Sequence, residues 1–210
     1  KTLFPYTTLF RSLGSGAGFA KDLIPEIVRT DVIEYPHLDQ IVDATRMPFT
    51  ENSVRAIFMQ NVFHHIPDVG AFLREAERCL IPGGRVFIVD QNPGWISSWI
   101  FKYLHHEPFL PQASEWKFDS TGPLSGANGA LAWIVFKRDY AKFVTHYPRL
   151  KLEQFAPHSP LRYWLAGGLH AWSLLPRFIF GFATWLDRCL IRISPQFGSF
   201  VDIELVKKSM

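Results

Sequence analysis

Residues 13–18, Leu13-Gly14-Ser15-Gly16-Ala17-Gly18, decide how the rest of this chain is read. Glycine at every second position strips the side chains from one short turn, so that backbone can approach a ligand closely at the mouth of a helix. The dinucleotide fingerprint G-x-G-x-x-G places its third glycine one residue later, so the spacing speaks against a nicotinamide dehydrogenase. Outward from the turn, short β-prone runs alternate with helical ones as far as Asp90. Ile27 to Thr30, Gln40 to Val42, Ala56 to Gln60 and Arg85 to Val89 are the strand candidates. That alternation marks βαβ units and a parallel sheet. The best helix runs from Asp68 to Leu80, with Val69, Phe72, Leu73, Ala76 and Leu80 on one face, Asp68 as N-cap and Pro82-Gly83-Gly84 as the stop.

Beyond Asn92-Pro93-Gly94 the character changes. Trp95 to Leu104 reads as an aromatic helix, Leu110 to Gly129 is rich in Pro, Ser and Gly, and 130–146 reads as another helix. Lys151 to Phe155 and Ser199 to Val206 are further strands, separated by the apolar stretch Leu161 to Ile193. The chain then divides into a ligand-binding half (13–92), substrate-side helices with an insertion (93–198) and a final strand (199–206).

Composition sets the class. A chain of 210 residues, 48% hydrophobic and 20% charged, supports one globular domain that buries roughly 70% of its unfolded surface. The 22 basic and 19 acidic residues are scattered, so there is no nucleic-acid footprint. Cys79 and Cys189 form no C-x-x-C pair, so no zinc or redox motif is expected from them, and a reducing, cytoplasmic setting is the simplest reading. No Ser lies in a G-x-S-x-G elbow, which removes the common hydrolase reading. Aromatics make up 15% of the chain, more than an ordinary soluble core of this size requires.

Two acids follow the glycine turn in order. Asp31 closes the Ile27 run, where a carboxylate can accept both hydroxyl protons of a ribose. Asp43-Ala44 follows the Gln40 run, where a carboxylate can accept from an exocyclic amine. Glycine turn, acid, acid, each at a strand end, is what a nucleoside site at the carboxyl edge of a parallel sheet needs.

With these residues in place the sequence resembles the class I S-adenosylmethionine-dependent methyltransferases, especially the small-molecule group called methyltransferase type 11. The resemblance is carried by LGSGAGF at 13–19, Asp31, VDATRMPF at 42–49, AIFMQNVFHHIPD at 56–68 and REAERCLIPGGRVFIVD at 74–90. It implies an α/β fold: a doubly wound, mostly parallel seven-stranded sheet with helices on both faces, an apolar helical insertion before the last strand, and Ser199 to Val206 antiparallel to its neighbours. It also implies S-adenosyl-L-methionine as cofactor. Gly14, Ser15, Gly16 and Gly18 would pass under its methionine and ribose part, and Asp31 (Glu34 is the alternative) would hold the ribose hydroxyls. Asp43 with Ala44 would meet the adenine edge, and Asn61 would stand beside the sulfonium. The family usually has an acid two positions before the first glycine. Ser12 occupies that position here, which weakens the expectation of activity.

Ser12 also closes the segment TLFPYTTLFRS at 2–12, which looks like a translated sequencing adapter joined to a truncated gene. On that expectation the natural chain starts near Leu13, and residues 1–12 carry no functional inference.

His65 and His64 are the candidate catalytic residues. The resemblance puts them at the entrance to the transfer site, where an imidazole can take a proton from an attacking hydroxyl. As a metal site the pair is expected to be poor, because adjacent loop residues diverge and no acid stands at ligand spacing, so no metal is expected. His105-His106-Glu107 is a second such cluster with a lesser claim, because nothing in the sequence fixes its distance from the cofactor.

The acceptor is expected to be a small molecule, a glycan or a lipid-linked compound, with a non-catalytic, cofactor-binding partner subunit as the alternative. The pieces Leu161 to Leu175 and Phe178 to Ile193 are too short to span a bilayer. They are expected to form a helical pair that roofs the acceptor pocket and buries Trp164, Trp172, Phe178, Phe180, Phe182 and Trp185. The sharper alternative rests these aromatics, with Arg162, Arg177, Arg188 and Arg192, on a membrane surface, making 161–193 a peripheral membrane contact.

Overall fold

The structure, a computed structural model, describes residues 10–16, 20–168 and 174–209. Gly18 of the glycine turn and Trp172 of the apolar stretch lie outside them. Seven strands form one sheet: β1 (Phe10–Ser12), β2 (Val28–Asp31), β3 (Gln40–Ile41), β4 (Val54–Gln60), β5 (Leu80–Gln91), β6 (Leu150–His158) and β7 (Phe200–Lys207). Their spatial order is β3-β2-β1-β4-β5-β7-β6. Strands β1 to β5 run parallel, and β7 is antiparallel to both β5 and β6. The order reverses between β1 and β4, which opens a crevice at their carboxyl ends. Helices α1 (Ala20–Leu23), α2 (Val69–Cys79) and α3 (Trp95–Tyr103) follow β1, β4 and β5.

The apolar face expected of α2 is the one it buries: Val69, Phe72, Leu73 and Ala76 are inaccessible to solvent. Each large apolar side chain so removed from water contributes about 1.5–3 kcal/mol. Asp68 caps the helix, accepting from Ala71 N at 2.8 Å. The helix ends at Cys79, before the Pro82-Gly83-Gly84 stop, because Leu80 already pairs with Val54 in the sheet.

Three expectations need correction. The segment 130–146 is not one helix: α4 (Leu131–Trp133) passes into a π turn, Ile134–Arg138, and α5 (Tyr140–His146) starts afresh. The π turn closes with Asp139 N donating to Ile134 O, and the Asp139 carboxylate ties Trp116 Nε1 and Arg138 to the break. Strands β4 and β6 also run longer than expected, β4 from Val54 and β6 to His158, since pairing with a neighbour extends a strand past its own β-prone core.

The third correction concerns the roof. Trp164, on α6 (Arg162–Leu165), does pack inward against Phe101 and Phe200. Phe178, Phe180, Phe182 and Trp185 do not; they stay exposed along and just before α7 (Phe180–Ile193), Phe178 by 88% and Trp185 by 57%. α7 is held to the body by Ala183 and by Asp187, a buried carboxylate that accepts from the backbone of Leu161 and Arg162. The small and acidic residues therefore face in and the aromatics face out. Among the described residues, no helix is long and apolar enough to cross a membrane.

Candidate active site

The crevice at the switch point is a cavity of about 1270 Å³. Its floor is the glycine turn. Gly14 and Gly16 both have positive φ, at 62° and 45°, and a Cβ on Gly14 would come within 2.3 Å of Val62. A Cβ on Gly16 would meet nothing within 4 Å among the described residues, which leaves the space above that residue open to a ligand on their side. Asp31 secures the turn from β2: its Oδ2 accepts from Gly16 N at 3.1 Å and its Oδ1 from Ile33 N at 3.2 Å.

Gly14→Ala is expected to destabilise the fold by about 1–3 kcal/mol, from left-handed strain plus the clash. Gly16→Ala should pay only the strain, about 1–2 kcal/mol. Denaturant midpoints that fail to rank the two variants in that order would contradict the geometry.

Of the residues expected to hold the cofactor, Gly14, Gly16, Asp31, Asp43, Ala44 and Asn61 all line this cavity. Ser15 does not. Its hydroxyl donates to Ser12 O and accepts from Thr30 N, so its side chain knits β1 to β2 beneath the turn. Glu34, the alternative to Asp31, is exposed and outside the lining. Asp43 accepts from Thr45 N and Thr45 Oγ1 through Oδ1 alone, and Oδ2 accepts no hydrogen bond among the described residues. Asn61 stands at the end of β4 with φ 54°, a left-handed conformation that asparagine tolerates, and is fixed by Asn61 N donating to Val89 O.

A second, smaller cavity of about 210 Å³ adjoins the first, and Asn61 and His65 line both. The histidine pair does not diverge as expected. On a tight turn, Phe63–His65, the two rings lie 4.2 Å apart, centroid to centroid. His64 is buried and donates from Nδ1 to Asp90 Oδ1 at 2.6 Å, while its Nε2 faces Glu107 Oε2 at 3.3 Å. Burial alone would push the His64 imidazole down, but Asp90 and Glu107 outweigh it and raise its pKa to about 10. His65 is half-buried, donates from Nδ1 to Gly126 O at 3.2 Å and presents Nε2 to Glu107 Oε1 at 3.2 Å.

Glu107, in the loop after α3, is the functional candidate that sequence reasoning placed only in a second, unconnected cluster. The imidazoles of His64 and His65 hold its carboxyl well below the usual range. The loop reaches the histidines because Asn128 is buried, accepts from Leu110 N and donates to Leu110 O, while Asn128 N donates to His64 O.

A doubly wound sheet of this strand order, with a glycine turn and two acids at its switch point, is the Rossmann-like fold of the methyltransferases, and the cofactor that goes with it is S-adenosylmethionine. The residues present fit that group: open space over Gly16, a carboxylate at the end of β2, and an unengaged carboxylate oxygen on Asp43. The family described as "Methyltransferase domain" matches residues 11–88. The chain is 42% identical over 52 residues to YafE of Escherichia coli, covering 24% of this chain and 25% of that protein. It is 33% identical over 54 residues to the ubiquinone/menaquinone biosynthesis C-methyltransferase UbiE of Desulfotalea psychrophila, covering 26% of this chain and 22% of that one. The matched stretch thus spans about a quarter of the length of these curated relatives. An S-adenosylmethionine-dependent methyltransferase from Methanosarcina mazei superposes with a TM-score of 0.53 at 13% identity, over 96% of this chain and 92% of that one, a likeness of fold.

Proposed function

We propose that this chain transfers a methyl group from S-adenosylmethionine to a small, lipid-linked acceptor taken up at a membrane surface. The observation that carries the reading is the meeting of the two cavities at Asn61 and His65. S-adenosylmethionine supplies a methyl group on a cationic sulfur: as the acceptor's lone pair bonds to the methyl carbon, the carbon–sulfur bond breaks and its electron pair stays on sulfur. Alignment then supplies most of the acceleration, so the protein's task is placement. The Gly14–Gly16 turn and Asp31 bind the nucleoside end, Asp43 and Ala44 take the adenine edge, and Asn61 stands between the two cavities. The acceptor's proton is released at the His65–Glu107 end.

The lipid character of the acceptor is supported by the aromatics that α7 turns outward, with exposed Arg177, Arg188 and Arg192 among them. Trp95, Trp99 and Tyr103 of α3 are exposed as well, and Trp95 touches Phe197 in the turn after α7, which joins the two apolar faces. Amphipathic aromatics edged by arginines suit the interface of an anionic bilayer.

The parent protein is expected to float with vesicles containing anionic lipid and to release S-adenosylhomocysteine when those vesicles carry a lipid extract. Phe182→Ser with Trp185→Ser should abolish flotation. His65→Ala should lower turnover at least a hundredfold while leaving S-adenosylhomocysteine affinity within a few-fold. A parent protein that stays at the bottom of the gradient removes the membrane part of the reading. One that binds cofactor yet methylates nothing in the extract favours the non-catalytic partner subunit.

A further inference from the structure

We propose that His64, His65 and Glu107 form a binding site for one divalent transition-metal ion of the zinc type. Sequence reasoning expected no metal because it expected the histidines to point apart and no acid to be near. The fold reverses both conditions.

Three observations carry the inference. First, the Nδ1–H of each histidine is already committed to an oxygen that can only accept, Asp90 Oδ1 for His64 and Gly126 O for His65. Such a bond fixes the ring and turns its other nitrogen toward a metal, and a carboxylate or backbone carbonyl behind the histidine is the usual support of a metal ligand. Second, both Nε2 atoms converge on one carboxylate, at 3.3 and 3.2 Å, and no two of the three ligand atoms are more than 4.8 Å apart. Ligands about 2.0–2.1 Å from a tetrahedral ion lie about 3.3–3.4 Å from one another, so the two nitrogen–oxygen separations, one to each oxygen of Glu107, are already of that size, and the wider ones have to shorten as the ion binds. Third, His64 Nε2 is buried and makes no well-aligned hydrogen bond, with Glu107 Oε2 facing it at 3.3 Å. A metal ion would displace the proton held between them and give the nitrogen a directed partner.

The supporting shell is complete on the carboxylate side too, where Gln91 Nε2 donates to Glu107 Oε2 at 3.1 Å. With Asp90 behind and Glu107 in front, the pocket is built around positive charge. Two imidazole nitrogens and one carboxylate favour zinc and its first-row neighbours over magnesium or calcium, which prefer oxygen throughout. Three protein ligands leave a position open, and the free side is the small cavity bounded by Asn61, Gln91 and Tyr163. An acceptor oxygen in that position would lose its proton to water more readily and be held for attack. This role rests on the reading of the cavity as the acceptor's; the binding of the ion does not.

Chelator-treated protein titrated with zinc sulfate in a calorimeter is expected to bind one ion per chain. Cobalt titration should give the visible absorption of a low-coordinate centre. His65→Gln and Glu107→Gln should each weaken zinc binding at least tenfold, and both are conservative enough to keep the fold. His146→Ala, an exposed histidine on α5, should behave as the parent does. S-adenosylhomocysteine titrations of the same proteins should give unchanged affinity. The proposal is overturned if the parent shows no saturable one-to-one binding, if binding survives both substitutions, or if it is lost with His146. Zinc binding without S-adenosylhomocysteine binding would leave the metal site standing and remove the methyl-transfer reading, and the converse would do the reverse.

Discussion

Asp31→Ala is expected to weaken S-adenosylhomocysteine binding by roughly ten- to a hundredfold, the equivalent of one charge-assisted hydrogen bond of about 1.5–3 kcal/mol. Asp31 is 8% exposed, lines the larger cavity, and already holds Gly16 and Ile33 by their backbone N–H groups. A carboxylate has about four lone-pair directions, so those two bonds leave it able to receive the hydroxyls of a ribose as well. Alanine removes that receptor and also releases the turn on which the ligand lies. Asp31→Asn should fall between, since the amide keeps one accepting oxygen and loses the charge. Calorimetry showing parent-like affinity for the alanine variant would take the ribose away from Asp31 and, with it, the placement of the nucleoside in the crevice.

The second large effect falls on stability. Asp90→Ala is expected to cost about 3–5 kcal/mol, because it removes the acceptor of the buried His64 Nδ1–H and of two buried backbone N–H groups. For a chain of this size that is a fall of roughly 6–20 °C in the midpoint of thermal unfolding. Asp90 is fully buried at the end of β5. Its Oδ1 takes His64 Nδ1–H and its own neighbour Gln91 N at 2.7 Å, and its Oδ2 takes His64 N at 3.2 Å. Three donors lose their acceptor together, while the methyl group of alanine fills little of the space. A midpoint within 2 °C of the parent would show that His64 draws its support from elsewhere.

The lining of the larger cavity was legible because its information is local. The glycine turn, Asp31 and Asp43 each sit at a strand end, and strand ends are announced by short β-prone runs between turn residues, as around Val28–Asp31. α2 was legible because burial and helical period coincide on Val69, Phe72, Leu73 and Ala76. The lining of the smaller cavity was not, because its geometry is made at long range. Nothing near His64 in the sequence points to Glu107, and only the Leu110–Gly129 loop, anchored by Asn128, closes the distance. Asp90 closed the last motif read in the sequence, yet its side chain could not be assigned to His64 without the β4–β5 pairing that sets Gln60 against Val89. The outward face of α7 was hidden for a different reason. Apolar periodicity says that a helix has an apolar stripe, and the buried Asp187 shows that here the stripe faces away from the protein.

The position of β7 has a consequence for how the molecule comes into being. It lies between β5 and β6 and provides β6 with its pairing partner, from Leu150 against Lys207 to His158 against Phe200. Strand β6 therefore waits, with a bare edge, for a segment made some forty residues later. On the ribosome the parallel half, β1 to β5, can assemble early, whereas the other half must stay open until Phe200–Lys207 has left the exit tunnel. Pairings this distant in sequence are slow to form, and the exposed strands meanwhile are open to wrong partners. Closure of this sheet is thus timed by β7, and a chaperone that shields β5 and β6 during that interval should raise the yield of folded protein more than one acting on the nascent glycine turn.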